Sequence, residues 1–302
     1  MNEDVVCQSY SSSEEAIHSI PKIIHQCYPT TELPEKLRRN IANIRKLNPD
    51  WQYRFYSDEN IIEYLEENCS WALEYYLGIS KRYGAARADL FRYLVIYREG
   101  GVYLDIKSSV SKPFSQVLRE DDRFILSHWR NRPGEKYPGW GIHKELAAAA
   151  GEFQQWFIVS VPGHPFLQNV IKEVCRNIDR YDPREFGVGR KGTLRLTGPI
   201  AYTRAINHVL TSGEYRIADA EEDLGLGYSL YYTGRVSEHE HLFTSHYAKQ
   251  KGLLVRFPPR KHLALLVGYR LSLLTRLLSR INGKRDIPMV SFSKKRRKWT
   301  SA

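Results

Sequence analysis

A helix pattern that ends at two glycines and runs directly into an apolar strand pattern constrains this fold most. Residues 82–98 read as a long helix, Gly100 and Gly101 end it, and residues 102–104 read as a buried strand. Further strand and helix patterns alternate upstream, at residues 20–27, 35–47, 53–56 and 58–67. Because strands that alternate with helices favour a parallel sheet, the sequence predicts an α/β domain with a mainly parallel central sheet.

Basic residues are concentrated at the C-terminus. The formal net charge of the 302 residues is +11, yet residues 256–302 alone contain 13 Lys and Arg against one acid. Leucines recur on one face of a helix pattern that starts at Leu263, which predicts an amphipathic helix. We therefore expect a flexible leader at residues 1–19, one folded domain at 20–255 and a basic amphipathic extension at 256–302.

Several classes of protein are disfavoured by the composition. No run approaches the roughly 20 apolar residues that span a bilayer, and the first ten residues lack the apolar core of a signal peptide. We therefore expect a cytoplasmic location or peripheral attachment to a membrane. The four cysteines have no metal-binding spacing and are predicted to be reduced and mostly buried: Cys7, Cys27, Cys69 and Cys175.

Charged residues of opposite sign lie in the predicted helix and directly after the predicted strand. Asp89 and Arg92 are three residues apart on the helix, and Asp105 follows the strand. Ligands of open α/β sheets bind at the carboxyl ends of strands. A carboxylate suits ribose hydroxyls and a guanidinium suits phosphate, so these residues are candidates for a nucleotide site. A structural ion pair and a simple turn aspartate remain open alternatives.

The same run resembles the core motif of glycosyltransferase family 32, whose members include sugar transferases with a DXD signature. The motif positions are filled by Arg87, Asp89, Arg92, Tyr93, Tyr97, Gly100, Gly101, Tyr103 and Asp105. Other segments are similar to further motifs of the family: residues 20–28, 47–58, 162–167 and 196–199. The resemblance implies a single GT-A-like domain. It also implies an enzyme that moves a hexose from a UDP- or GDP-sugar to a glycan or lipid-linked acceptor, with retention of configuration.

The resemblance also implies roles for individual residues. Asp89 and Arg92 would contact the donor, and Asp105 would meet its ribose or a divalent metal. His246 resembles a late histidine of the family that lies near the metal and the diphosphate. Further donor contacts are expected from His25, Arg87, Tyr93 and Lys107. A purely structural role stays open for both histidines.

The sequence departs from the DXD pattern at its second acid, where Lys107 stands. Magnesium and manganese prefer oxygen ligands, so an ammonium group at this position disfavours a metal site. Either Asp105, His246 and the diphosphate oxygens hold a metal weakly, or Lys107 itself neutralises the leaving diphosphate. The catalytic candidates are thus Asp89, Arg92, Asp105 and Lys107. An inactive member that binds glycans or serves as a scaffold is a further alternative.

Aromatic residues and the basic extension suggest partners. Trp129, Trp140 and Trp156 lie in or near a Pro/Gly-rich loop at 130–145 and are candidates for stacking on an acceptor sugar, with core packing as the alternative. The basic extension suits an anionic membrane surface, and packing on the domain is equally compatible with its pattern. Nucleic-acid binding is a weaker alternative because no recognised module accompanies the charge.

Overall fold

The computed structural model describes residues 19–146, 151–231 and 250–281. The strands in these ranges are β1 Ile23–Cys27, β2 Gln52–Tyr56, β3 Gly101–Leu104, β4 Ser109–Val110, β5 Phe124–Leu126, β6 Phe157–Ser160, β7 Arg216–Ile217 and β8 Leu226–Gly227. The helices are α1 Glu35–Leu47, α2 Asp58–Asn68, α3 Ser70–Gly78, α4 Gly84–Glu99, α5 Phe114–Val117, α6 Pro165–Asp179, α7 Gly189–Leu196, α8 Pro199–His208 and α9 Pro259–Ile281.

Six strands form the central sheet in the order β2-β1-β3-β6-β5-β7. β1 is parallel to β2 and β3, and β5 is parallel to β7, whereas β6 is antiparallel to both of its neighbours. Strands β4 and β8 form a separate antiparallel pair. The predicted α/β class with a mainly parallel central sheet is therefore confirmed.

Apolar side chains cover both faces of the sheet. Helix α4 is the centre of one layer, because nearly every side chain from Ala86 to Tyr97 is buried. It packs against α6 and the strands, and this explains why its buried residues lie on all sides of the helix rather than on one face. The opposite layer contains Ile44 of α1, Phe114 of α5 and Leu224. The sheet is thus enclosed by helices and loops on both faces.

The glycine pair fixes the exit of helix α4. Gly100 has a φ of 66° and Gly101 a φ of 91°, in the region that side-chain-bearing residues rarely adopt. At Gly101 a Cβ atom would also collide with the backbone of Ile23 in β1. The chain can therefore turn directly from α4 into β3, and this turn sets where Asp105 emerges.

Most predicted elements lie within about two residues of the observed ones, and α1 has the predicted bounds. Ser57 caps α2, and Asn60 completes a capping box. Helices α3, α5 and α7 and the short strands β4, β7 and β8 were not predicted. The predicted C-terminal stretch is helical as α9, which begins at Pro259.

Three of the four cysteines lie in the described ranges and are buried without disulfides: Cys27, Cys69 and Cys175. Cys7, the leader up to residue 18 and the basic cluster after residue 281 lie outside the described residues. In the described part of the chain, no helix is long and apolar enough to cross a membrane.

Candidate functional site

Three charged side chains meet where α4 passes the end of β3, and we call Asp89, Arg92 and Asp105 the charged cluster. Nη2 of Arg92 lies 2.9 Å from Oδ1 of Asp105 and 3.3 Å from Oδ1 of Asp89. Arg92 and Asp89 are three residues apart on α4, so the helix itself brings them together. The structure therefore assembles the three residues that the sequence proposed as a nucleotide site.

Two neighbouring residues hold the charged cluster in place. Nη1 of Arg92 donates to the backbone oxygen of Gln155 at 2.6 Å and to its Oε1 at 3.1 Å. Nε2 of Gln155 donates to Oδ1 of Asp89 at 3.1 Å, and the Thr197 hydroxyl donates to Oδ2 at 2.9 Å. Gln155 was not a candidate in the sequence, because no spacing links it to α4.

Burial strengthens the electrostatics of this cluster. Burial lowers the pKa of Arg92, but the adjacent carboxylates, chiefly Asp105, outweigh it and hold that pKa well above its ordinary value. Burial raises the pKa of Asp89, while Arg92, Gln155 and Thr197 act in the opposite direction. Arg92 is therefore a fixed positive charge that two carboxylates share.

Asp105 is the most accessible member of the charged cluster. Its side chain is 22% exposed, against 5% for Arg92 and for Asp89. Its backbone N–H donates to the oxygen of Trp156 at 2.8 Å, and its own backbone oxygen accepts from Ser108 N–H at 2.8 Å. Asp105 is thus fixed by its backbone while its carboxylate faces partly outward, as a ligand-binding carboxylate must.

Lys107 follows in the same turn and lies against Tyr228. Its Nζ is 3.2 Å from the Tyr228 hydroxyl and 4.5 Å from the centroid of that ring. Ser108 donates its hydroxyl to the backbone oxygen of Tyr228 at 3.1 Å. The ammonium group is therefore held by a cation–π contact. Tyr228 was not a candidate residue in the sequence, which contains no motif around it.

Five aromatic side chains form a second cluster beside Lys107. This aromatic cluster consists of Trp129, Tyr137, Trp140, Trp156 and Tyr228. The ring centroid of Trp129 lies 5.0 to 5.2 Å from those of Tyr137, Trp140 and Tyr228. These are ordinary distances for packed aromatic pairs. The three tryptophans that the sequence proposed for an acceptor are therefore brought together.

The three tryptophans differ in how far their side chains are exposed. Trp129 and Trp156 are buried, whereas Trp140 is partly exposed. The indole N–H of Trp129 donates to Oε1 of Glu152 at 2.8 Å, and Oε2 of Glu152 lies 2.6 Å from Nε2 of His143. Of the three, Trp140 has the most surface for stacking on a sugar, and core packing accounts for most of the surface of the other two.

Three further candidates are buried and bonded within the protein. His25 lies between the Tyr56 hydroxyl and the backbone oxygen of Gly100, and burial lowers its pKa to about 3. Arg87 donates to the backbone oxygen of Ile79, and Tyr93 donates to Gln155 or to the backbone oxygen of Thr197. For His25 this favours the structural role that the sequence left open. His246 lies outside the described residues.

The described residues offer few ligands for a divalent metal. Within the described ranges, no group of three or more His, Cys, Asp or Glu residues could hold a metal ion. Asp105 contributes one carboxylate, whose Oδ1 Arg92 already engages, and Lys107 stands where a second acid is expected. This donor set alone does not fit magnesium or manganese, which take several oxygen ligands.

Comparison with known proteins supports the motif. A family described as "Glycosyltransferase sugar-binding region containing DXD motif" matches residues 34–124. Inositol phosphoceramide mannosyltransferase 3 of Schizosaccharomyces pombe is 29% identical over 174 residues, which cover 58% of this chain and 42% of that protein. Initiation-specific alpha-1,6-mannosyltransferase of Candida albicans is 28% identical over 228 residues, covering 68% of this chain and 58% of that protein. The resemblance to the DXD-containing transferases is confirmed.

The chain spans less than half the length of several of these relatives. Mannosyl phosphorylinositol ceramide synthase SUR1 of Saccharomyces cerevisiae, for example, is 28% identical over 162 residues, which cover 54% of this chain and 36% of that protein. Among solved structures, the PaToxG glycosyltransferase is 19% identical with a TM-score of 0.45, over 70% of this chain and 75% of that one.

Proposed function

We propose that this chain transfers a hexose from a nucleotide-diphosphate sugar to a glycan or lipid-linked acceptor, as the match of residues 34–124 to the DXD-containing glycosyltransferases suggests. The observation that carries the proposal is the partly exposed carboxylate of Asp105 at the end of β3, paired with buried Arg92. Relatives named as mannosyltransferases support a hexose donor and favour mannose.

The charged cluster is the donor side of the proposed site. The carboxylate of Asp105 accepts hydrogen bonds from ribose hydroxyls, a pairing that suits an acid at the carboxyl end of a strand. Arg92 and Asp89 lie buried behind it, where Arg92 orients the Asp105 carboxylate and adds a fixed positive charge beside the donor. Gln155 and Thr197 keep these two side chains rigid through the bonds described above. Rigid polar groups lose little entropy when the donor binds.

Transfer breaks the bond between the anomeric carbon and a diphosphate oxygen. The acceptor hydroxyl oxygen forms the new bond to that carbon on the same face, and its proton passes to the departing phosphate oxygen. This return-side attack retains configuration and needs no protein base. Negative charge grows on the nucleoside diphosphate as the bond breaks. The ammonium of Lys107, held over the Tyr228 ring, stabilises that charge.

Turnover of a nucleotide sugar tests the proposal. The purified 302-residue chain is incubated with UDP- and GDP-sugars, and release of the nucleoside diphosphate is measured with and without simple glycoside acceptors. We expect turnover with at least one donor, including slow hydrolysis without acceptor. Absence of turnover together with absence of donor binding would instead favour an inactive glycan-binding or scaffold protein.

The metal requirement is tested in the same assay. Because Lys107 supplies positive charge where a second acid is expected, we expect EDTA to reduce turnover only a few-fold and added manganese to have a similarly small effect. Strict manganese dependence, combined with a nearly silent Lys107→Ala substitution, would show that a metal and not Lys107 neutralises the diphosphate.

Helix α9 is the proposed contact with an anionic membrane surface. Exposed apolar side chains follow one another along it: Leu263, Val267, Leu271, Leu273, Leu274, Leu277 and Leu278. Leu265 and Leu266, near the start of the helix, pack on the domain, whereas the exposed side chains continue to Leu278. The helix contains no acid, and residues 282–302 add seven Lys and Arg against one Asp. An apolar stripe with basic neighbours suits a lipid surface that carries an acceptor.

Vesicle flotation tests this contact. The triple variant Leu271→Ser, Leu274→Ser, Leu278→Ser is compared with Ile217→Ser, which removes an equally exposed apolar side chain elsewhere. We expect the wild type and the Ile217 variant to float with phosphatidylcholine vesicles that contain phosphatidylglycerol, and the triple variant to remain unbound. Equal flotation of all three proteins would refute the membrane role of α9.

A further inference from the structure

A small cavity lies within the aromatic cluster. Trp129, Tyr137, Trp156 and Tyr228 line it together with Gln154, and its volume is about 10 Å³, which matches one water-sized group. Tyr228 is also the residue that holds Lys107. The cavity therefore shares a wall with the proposed diphosphate site.

Two polar atoms of the cavity-lining residues have no hydrogen-bond partner in the described structure: Oε1 of Gln154 and Nε1 of Trp156. Their residues are only 6% and 5% exposed. A buried polar group without a partner is destabilising, because its bonds to water are lost and not replaced. Because both residues line the same cavity, a single occupant there is the simplest partner for both atoms.

The two atoms have complementary chemistry. The Gln154 oxygen accepts a hydrogen bond and the Trp156 indole N–H donates one. A hydroxyl group does both, and its carbon can contact the surrounding aromatic rings. Gln155, between these two residues, points instead to Asp89 and Arg92. One segment of chain therefore supplies polar groups to the charged cluster and to the cavity.

We propose that this cavity is a subsite for one hydroxyl group of a carbohydrate, read by Gln154 and Trp156. This inference rests on the proposed function, because a sugar must be bound nearby. The hydroxyl belongs either to the donor hexose or to the acceptor sugar, and both share the same chemistry. Other lining residues, Arg130 and Glu221, are partly exposed, so the cavity reaches toward the surface.

A hydroxyl-reading subsite rejects sugars that lack that hydroxyl, because both protein groups are then left unpaired. The probes are methyl α-D-mannopyranoside and its four monodeoxy analogues for the acceptor side, and GDP-mannose and its deoxy analogues for the donor side. Affinities are measured by calorimetry or saturation-transfer NMR. We expect one deoxy analogue in one of the two series to bind wild type at least about tenfold more weakly than its parent.

Two variants test the residues, and a third is the control. Gln154→Leu removes the acceptor and Trp156→Phe removes the N–H while keeping an aromatic ring. Trp71→Phe removes an indole N–H that is equally unpartnered in the described structure but lies in α3, away from the cavity. We expect the first two variants to lose the discrimination against the deoxy analogue and the control to retain it.

Two results would overturn the subsite. Wild type that binds every deoxy analogue as well as the parent, or Gln154→Leu and Trp156→Phe proteins that still discriminate, would mean that the cavity holds only a structural water. Donor turnover by wild type is measured alongside. Turnover without discrimination overturns the subsite alone, whereas no turnover and no binding of any nucleotide sugar overturns the proposed function too.

Discussion

The charged cluster and the aromatic cluster receive side chains from the same short segment, yet they are built on different principles. Gln155 completes the charged cluster, and its neighbours Gln154 and Trp156 line the cavity of the aromatic cluster. In the charged cluster, Arg92 and both oxygens of Asp89 have partners within the protein. At the cavity, two buried polar atoms have none among the described residues.

The difference separates two tasks that a transferase must perform. A network whose partners are all supplied by the protein keeps its geometry before a ligand arrives, which suits a site for fixed charges. Polar atoms without protein partners gain their bonds from a ligand, which suits selection between similar sugars. The comparison therefore predicts that the charged cluster controls rate and stability, and that the aromatic cluster controls choice of sugar.

Removing Arg92 is expected to have the largest effect. Arg92→Ala leaves Asp89 and Asp105 without their shared counter-charge, one of them fully buried, which costs about 3 to 5 kcal/mol of unfolding free energy. Turnover should fall below detection. Urea unfolding and the donor assay measure both. Arg38→Ala is the control, since it removes only an exposed pair with Glu35 and should leave the unfolding midpoint nearly unchanged. An Arg92 variant of wild-type stability would contradict the rigid-network account.

The two carboxylates should respond differently to loss of charge. Asp105→Asn is expected to lower turnover about 100-fold, while stability changes little because the side chain is partly exposed. Asp89→Asn should cost about 1 to 3 kcal/mol of stability, because a buried, fully bonded carboxylate is replaced. Unfolding and turnover are measured on both proteins. If Asp105→Asn were as active as wild type, the donor role of Asp105 would be refuted.

Lys107 lies between the charged cluster and the aromatic cluster, and substitutions of Lys107 and Tyr228 compare the importance of its charge with that of its hydroxyl contact. Lys107→Ala is expected to lower kcat about tenfold to 100-fold, because a charge beside the leaving group is lost. Tyr228→Phe keeps the ring under the ammonium but removes the hydroxyl 3.2 Å away, so its loss should be only a few-fold. Steady-state kinetics distinguish the two. A larger loss for Tyr228→Phe than for Lys107→Ala would reverse the proposed order of importance.

Buried His25 should make the free energy of unfolding depend on pH, without a direct effect on catalysis. Burial lowers the pKa of His25 from 6.5 to about 3. Between these two values His25 binds a proton in the unfolded state but not in the folded state. Unfolding free energy should therefore fall by about 1.4 kcal/mol per pH unit as pH drops from 6.5 toward 3. His25→Gln should flatten that slope in urea unfolding measured across this pH range. Unchanged slope in the His25 variant would contradict this assignment.

The charged cluster was predictable from sequence because it is local. Asp89, Arg92 and Asp105 lie within 17 residues, on one helix and the strand that follows it, and the glycine pair fixes the turn between them. Helix periodicity and the strand exit were therefore enough to place them together.

The aromatic cluster could not be predicted in the same way. It joins residues from Trp129 to Tyr228 across loops, and no spacing rule connects them. Tyr228 and the unpartnered atoms of Gln154 and Trp156 become recognisable only in three dimensions. The helices α3 and α7 were missed for a related reason. Helix α3 has no clear apolar face, and α7 contains two glycines, which disfavour a helix. Tertiary packing therefore determines that both segments are helical.

A crystal structure of the protein soaked with GDP-mannose or UDP-glucose tests the central claim most directly. We expect the ribose to lie within hydrogen-bonding distance of the Asp105 carboxylate and the diphosphate to lie on the side of Lys107. A donor bound elsewhere on the molecule, with the Asp105 carboxylate still engaged only by Arg92, would contradict it.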